Sequence, residues 1–351
     1  MTGNPLLGVL LLALGGLTGG SFYVPFGKVR QWSWETYWLI MGVPAWVVMP
    51  WLVAWLTVPH LLEVLSSSPV QILAKAYLFG AMWGIGAATF GLTMRYLGIS
   101  LGMAIVTGLC AAFGTLIPPI VDGQFAELLV SLSGLTVLLG VAVCLAGIAI
   151  CGGAGLRKER ELTDRQKQES IKEFALVKGF VVATVSGVMS ACMVFGINAG
   201  EPIARVALDL GVPSVYQNTP TLILVLAGGF TVNSLWCLTL NFRNRSIHEY
   251  VSRSGSVLLA NYLLVALAGI VWYSQIFLYG MGTTKMGEYA FSSWSIITAV
   301  CVTVSTLWGL ALKEWKGVSP RTLLVLWGGI VVLIVSALIM GAGSYIKTIE
   351  S

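Results

Sequence analysis

Leu78–Ile105 reads LFGAMWGIGAATFGLTMRYLGISLGMAI. It is two apolar segments around a polar corner, Thr93-Met94-Arg95-Tyr96, with Trp83 inside the first and glycines at 80, 84, 86, 91, 98 and 102. The skeleton returns in the second half of the chain. Trp83, Gly91 and Gly98 align with Trp272, Gly280 and Gly287 at one common offset, and Phe90 aligns with Tyr279. A Trp in mid-segment, a Gly closing that segment and a Gly opening the next recur with identical spacing. A duplicated membrane hairpin of this kind marks transporters built from internal repeats.

Outward from this hairpin the chain is of the same material. Its 351 residues are 57% hydrophobic and 10% charged, with mean hydropathy +0.86. A soluble domain carries about a quarter charged residues, so this chain has too few to wet its surface. The apolar residues gather in ten runs, at 5–26, 37–57, 70–93, 98–121, 132–153, 178–200, 215–240, 256–281, 288–310 and 321–345. Each is close to the roughly 20 residues a helix needs to cross a bilayer. The short alternating segments of an outer-membrane barrel are absent. No Lys or Arg precedes the first run, which is longer than a signal-peptide core and lacks a small-residue cleavage site after it. It is expected to be a retained helix.

The expected fold is an all-α membrane protein of ten transmembrane helices. Residues 1–155 form a first five-helix repeat, 156–177 a charged linker and 178–351 a second five-helix repeat. Basic residues mark the cytoplasmic side. Lys28 and Arg30, Arg95, the run from Arg157 to Lys178, Arg243, Arg245 and Arg253, and Lys313, Lys316 and Arg321 follow the odd-numbered segments. Only Lys75, Arg205 and Lys285 follow even ones, and Lys347 lies near the end. Odd loops therefore face inward and both termini outward. With five helices per half the second half enters from the opposite side, which makes the halves an inverted repeat around one central site.

Polar and aromatic residues concentrate in segments one, three, four, six, eight and nine. Segments five and ten are bland and read as scaffold. Pro44 and Pro50 predict a bent second helix. Trp32, Trp34 and Trp38 read as an interfacial aromatic belt, Ser33 or Thr36 as a helix cap, and Glu35 as an acid favoured by the helix start. Ser21 and Tyr23 are candidate site residues or packing residues. Arg157–Phe174 reads as a solvated linker with short helical pairs such as Glu161–Arg165.

The site chemistry follows from what is available at membrane depth. Trp83 and Trp272 are too deep for an interfacial belt, and they suit the C–H face of a sugar or the filling of gaps between helices. Thr89, Asn198, Ser274 and Gln275, with Tyr279, offer uncharged donors and acceptors for hydroxyl groups. No buried cluster of Arg or Lys asks for an anionic substrate. The substrate is therefore expected to be a small neutral sugar. Uphill uptake needs a driving ion, and a carboxylate at the membrane edge can carry a proton. Glu288 and Glu201 are the candidates; Asp122 reads as a rim charge. Six cysteines, at 110, 144, 151, 192, 237 and 301, all lie in apolar runs without a C-x-x-C pair, and read as small packing residues. There is no H-E-x-x-H, no G-x-S-x-G and no Walker loop. The sequence suggests no enzyme, cofactor, metal or nucleic-acid partner; the basic residues are explained by the lipid bilayer.

Several strings then resemble one family. Phe22-Tyr23-Val24-Pro25-Phe26-Gly27-Lys28, Trp32-Ser33-Trp34-Glu35-Thr36, Phe79-Gly80-Ala81-Met82-Trp83-Gly84-Ile85-Gly86, Gly91-Leu92-Thr93-Met94-Arg95-Tyr96-Leu97-Gly98 and Leu312-Lys313-Glu314-Trp315 are similar to bacterial L-rhamnose–proton symporters. That family belongs to the drug/metabolite transporter superfamily. The likeness spans the chain, densest up to about residue 120 and thinner at 200–260 and 285–300. It implies ten helices in two inverted repeats and import of L-rhamnose with a proton across the bacterial inner membrane. Efflux of drugs or metabolites by proton exchange on the same fold, and a sensor or scaffold that transports nothing, are the alternatives left open by the residues.

Overall fold

The computed structural model describes residues 4–97, 99–161, 176–251, 255–312 and 315–350. Ten long helices carry the fold: α1 (Pro5–Ser21), α2 (Trp34–Thr57), α3 (Val70–Leu97), α4 (Ile99–Val121), α5 (Leu132–Glu161), α6 (Leu176–Ala199), α7 (Thr219–Asn244), α8 (Gly255–Thr283), α9 (Ser293–Ala311) and α10 (Pro320–Glu350). Among the described residues nine helices are long and apolar enough to cross a membrane, and Ile105–Val121 of α4 is a shorter apolar helix. Helix satisfies every backbone polar group within its own segment, which hydrocarbon demands. The expectation of an all-α membrane protein of about ten helices therefore holds.

Boundaries differ from expectation at two places in the pair of hairpins with matching spacing. The corner at Thr93–Tyr96 is helical, and α3 runs on to Leu97. None of these four residues breaks a helix, and Thr93 Oγ1 donates back to the Thr89 carbonyl at 3.2 Å. Gly98 lies outside the described residues. In the later hairpin, Glu288 does not open α9. Gly287, at φ +60°, starts a 3₁₀ turn over Gly287–Ser292, and α9 begins at Ser293.

Pro44 does not break α2. The helix widens into a π-turn over Val43–Val48, and the Met49 N–H bonds to the Pro44 carbonyl. Proline lacks the N–H for a regular bond, and a π-turn absorbs that loss while turning nearby side chains to a new face.

The helices pack across the two halves of the sequence. α1 lies between α8 and α9, and α6 lies between α3 and α4. α2 packs on α7 and α8, while α3 crosses α7. At that crossing Gly80 and Gly228 bring the backbones together: a Cβ at Gly80 would overlap Val225, and one at Gly228 would overlap the Tyr77 carbonyl. Small residues are what permit such approach between membrane helices. The bland pair α5 and α10 run against each other along their length.

At one end of the bundle, which carries Lys28, Arg30, Arg243 and Arg245, polar groups tie α2 to the end of α7. Glu35, the one buried carboxylate among the described residues, accepts from Asn244 Nδ2 at 2.8 Å and Ser246 Oγ at 3.0 Å. Ser33 donates to Glu249 from both N and Oγ (2.7 and 2.8 Å), and Trp32 Nε1 donates to the Glu249 carbonyl at 2.9 Å. Asn241 Nδ2 donates to the Tyr250 hydroxyl at 3.1 Å, and burial pushes that phenol up to about 12. The belt reading is corrected here. Trp32 and Trp38 are 8% and 7% exposed, so they pack inward instead of facing lipid. Ser33 is the N-cap of α2 by position, yet its hydroxyl serves Glu249 instead of the helix.

The linker side of the scaffold pair is clamped as well. Glu161, at the end of α5, accepts from the Ser319 N–H and Oγ (both 2.6 Å) and from Thr322 Oγ1 (2.7 Å) at the start of α10. These bonds hold its carboxyl below the usual range. Arg165 lies outside the described residues, as does the rest of the linker from 162 to 175.

Candidate functional site: an indole-lined cavity and an acidic vestibule

Three tryptophans from three helices meet in the interior. Trp83 of α3 and Trp272 of α8 sit 5.6 Å apart with their planes 30° from each other. Trp46, on the π-turn of α2, stands edge-on to both, at 5.5 Å from Trp83 and 5.6 Å from Trp272. The local sequence explains the seat of Trp83. Gly229 of α7 faces its ring, and a Cβ there would overlap Cζ3 and Cε3.

The three indoles line a cavity of about 430 Å³ that opens toward the basic end, past Tyr23, Val24 and Gly27 on one side and Trp308, Gly309 and Leu312 on the other. Trp38 lines it too, stacked between Tyr23 (6.2 Å) and Trp34 (5.4 Å). No charged side chain lines it among the described residues. The size and the mix of aromatic walls with a few polar groups suit a small neutral ligand. Trp38 and Trp46 bury their indole N–H groups without an acceptor among the described residues, the kind of donor that native structures normally pair.

A second recess of about 330 Å³ lies at the opposite end, lined by Asp122, Asn198, Glu201, Gln217, Asn218 and Glu288 among others. Tyr279 belongs to this vestibule and Trp294 to the indole cavity. Their rings meet edge to face at 5.2 Å. That contact lies where the two linings meet. Gly114 of α4 gives Trp294 its place, since a Cβ there would stand 2.8 Å from Cδ1 of the indole.

The expected site residues are thus distributed. Trp83, Trp272 and Gln275 come together in the indole cavity. Asn198 and Tyr279 line the vestibule instead. Thr89 and Ser274 line neither recess; Thr89 Oγ1 donates to the Ile85 carbonyl at 2.8 Å and Ser274 Oγ to the Ile270 carbonyl at 2.9 Å. Of the alternatives for α1, Tyr23 lines the cavity, whereas Ser21 accepts from Trp308 Nε1 at 2.9 Å. Glu201 and Glu288 both line the vestibule, well exposed, with Arg205 2.6 Å from the first and Lys347 3.3 Å from the second.

Sequence reasoning did not name Trp46 and Trp294 as lining residues and placed Trp38 in an interfacial belt. The available signal for Trp46 was its place between Pro44 and Pro50, where a bent helix exposes a wall to the interior. Repetition gave no signal for Trp294, since the common offset places the aliphatic Ile105 opposite it.

Comparisons with known proteins agree with this geometry. The pattern of the L-rhamnose-proton symport protein family matches residues 1–345. The L-rhamnose-proton symporter of Yersinia pestis (strain Pestoides F) is 38% identical over 341 residues, covering 96% of this chain and 98% of the relative. That of Cronobacter sakazakii (strain ATCC BAA-894) is 39% identical over 340 residues, covering 96% and 97%. Similarity of that extent reaches both recesses and the helices that form them, and the chain belongs to the L-rhamnose–proton symport protein family.

Proposed function

We propose that this multi-pass membrane protein imports L-rhamnose together with a proton by alternating access. It is a transporter and not an enzyme. One observation carries the reading: an uncharged, indole-lined cavity of about 430 Å³ with an acidic vestibule at the opposite end, the two meeting at the Tyr279–Trp294 contact. Alternating access requires one site that opens to each side in turn, with a closed layer on the other.

The chain sits in the bacterial inner membrane with its basic end in the cytoplasm and both termini in the periplasm. The conformation described is then inward-open, and the vestibule is periplasmic. The two halves are inverted five-helix repeats of the drug/metabolite transporter kind. Supporting this, α1 packs on α8 and α9 as α6 packs on α3 and α4, α2 packs on α8 as α7 packs on α3, and α4 packs on α5 as α9 packs on α10. Trp83 and Trp272, equivalent under that relabelling, form the face on which the C–H surface of the sugar rests. Gln275 pairs with its hydroxyls.

Glu288 or Glu201 receives the periplasmic proton. Protonation of Glu288 removes its ion pair with Lys347 near the end of α10, and so links the proton to the side of the protein that must open. The test is uptake into reconstituted vesicles with an acid-outside gradient and labelled L-rhamnose. Accumulation abolished by an uncoupler is expected. Absence of sugar uptake with export of apolar compounds would overturn the proposal in favour of efflux.

A further inference from the structure

A Ser or Thr on a membrane helix ordinarily returns its hydroxyl to the carbonyl one turn back. This chain follows that habit on most of its long helices. Thr184 donates to Phe180 O, Thr231 to Ala227 O, Thr239 to Leu235 O and Thr303 to Ala299 O, at 2.7 to 2.9 Å. Three hydroxyls in the indole cavity do not. Thr107 of α4, Ser190 of α6 and Thr298 of α9 line it, half-buried, and none has a hydrogen-bond partner among the described residues. Ser305, nearer the mouth, keeps the ordinary bond to Val302 O at 3.0 Å. Ser234 and Ser293 also lack a partner, but neither lines the cavity.

The carboxamide of Gln275 shares this condition and lines the same space without a partner. Its position is fixed by an absence of side chain on α1. A Cβ at Gly19 would overlap both Cδ and Oε1 of Gln275. Four uncharged polar groups from four helices, each able to donate and accept, are therefore left free in one cavity. A lone free hydroxyl has many causes. Three from separate helices, in the space that also holds the indoles, have one geometric feature in common.

We infer that Thr107, Ser190 and Thr298 form, with Gln275, the hydrogen-bonding half of the sugar site, and so determine which pattern of hydroxyl groups is accepted. The inference rests on the transport reading above and adds specificity-determining residues to it. Hydroxyls that both donate and accept match the vicinal hydroxyls of a neutral monosaccharide, and they offer nothing to a charged or wholly apolar compound.

The test is equilibrium binding of labelled L-rhamnose to the full-length protein in lipid nanodiscs. Thr107→Val, Ser190→Ala and Thr298→Val keep shape and remove the hydroxyl, and each is expected to raise Kd about 5- to 10-fold. Thr107→Ser and Thr298→Ser keep the hydroxyl and are expected to stay within about twofold of the unaltered protein. Thr184→Val, on the outer face of α6, controls for loss of a helix hydroxyl as such. Competition with mono-deoxy analogues supplies a readout that a packing defect does not produce. Each Val or Ala variant should lose discrimination against the analogue lacking the hydroxyl it contacts, and no other. Unchanged Kd in all three variants overturns the inference, as does an equal loss in the Val and Ser variants of both threonines. If the unaltered protein binds no L-rhamnose, the transport reading fails, and this one with it.

Discussion

Gly229→Ala probes the indole cluster from behind, without touching a tryptophan. The added methyl falls closer to Cζ3 and Cε3 of Trp83 than real Cβ atoms come to any neighbour. Ordinary carbon contacts need about 3.5 Å, so the ring has to retreat by at least ~1 Å. It has little freedom to do so, because Trp46 stands edge-on at 5.5 Å and Trp272 lies at 5.6 Å on the cavity side. The backbone gives no relief either, since Gly228, next in sequence, is locked against Tyr77 of α3. Overpacking of this kind costs roughly 1–3 kcal/mol. Thermal unfolding in detergent, followed with a thiol-reactive dye on the buried cysteines, should fall by a few degrees. L-Rhamnose affinity should drop about tenfold, the equivalent of ~1.4 kcal/mol, because the stacking face is displaced. Trp83→Phe shrinks the ring and should recover part of the stability loss in the double variant, so that the two changes are less than additive. Full additivity, or wild-type affinity and melting in Gly229→Ala alone, would refute the placement of Trp83 against α7.

Glu161→Gln tests the clamp between α5 and α10. Its carboxyl is held low in the folded state by Ser319 and Thr322, so its contribution is present in full above the ordinary carboxylate range of about 4 to 5 and is lost as pH falls through the depressed value. The variant should melt earlier than the parent at pH about 7, and the difference should shrink as pH falls through the depressed value; a difference that does not shrink in acid contradicts the assignment. Glu288→Gln should abolish proton-driven accumulation yet leave sugar counterflow, and normal accumulation would remove Glu288 from the coupling step. Tyr279→Ala removes half of the contact between vestibule and cavity; faster exit of preloaded sugar with weaker accumulation is expected, and unchanged exit would show that other side chains form the seal.

Much of the fold was legible because hydrocarbon leaves the chain few options. Ten apolar runs became ten long helices, and segments five and ten, bland in sequence, pack on each other. The chain ends of those helices were less legible. Thr93–Tyr96 looked like a corner because it is polar, but polarity at a membrane edge does not break a helix, and Thr93 simply bonds to its own preceding turn. The lining of the candidate site was legible in part. Trp83 and Trp272 announced themselves by repetition, and Gln275 by its depth. Thr89 and Ser274 line neither recess; the side of the helix a residue occupies is not revealed by spacing along the sequence. Trp46 escaped notice because its inward aim depends on a π-turn, a local change of helical phase that Pro44 permits without specifying. Thr107, Ser190 and Thr298 look like any other membrane hydroxyls until their missing back-bonds are seen.

The way α1 and α6 are lodged carries a consequence for how such a protein is made. Each is the leading segment of its own half, yet each is wedged between the third and fourth helices of the other. Neither half holds a finished interior by itself; each is a lock missing its bolt. A gene cut within the linker should yield two polypeptides that are degraded when made singly and accumulate when made together.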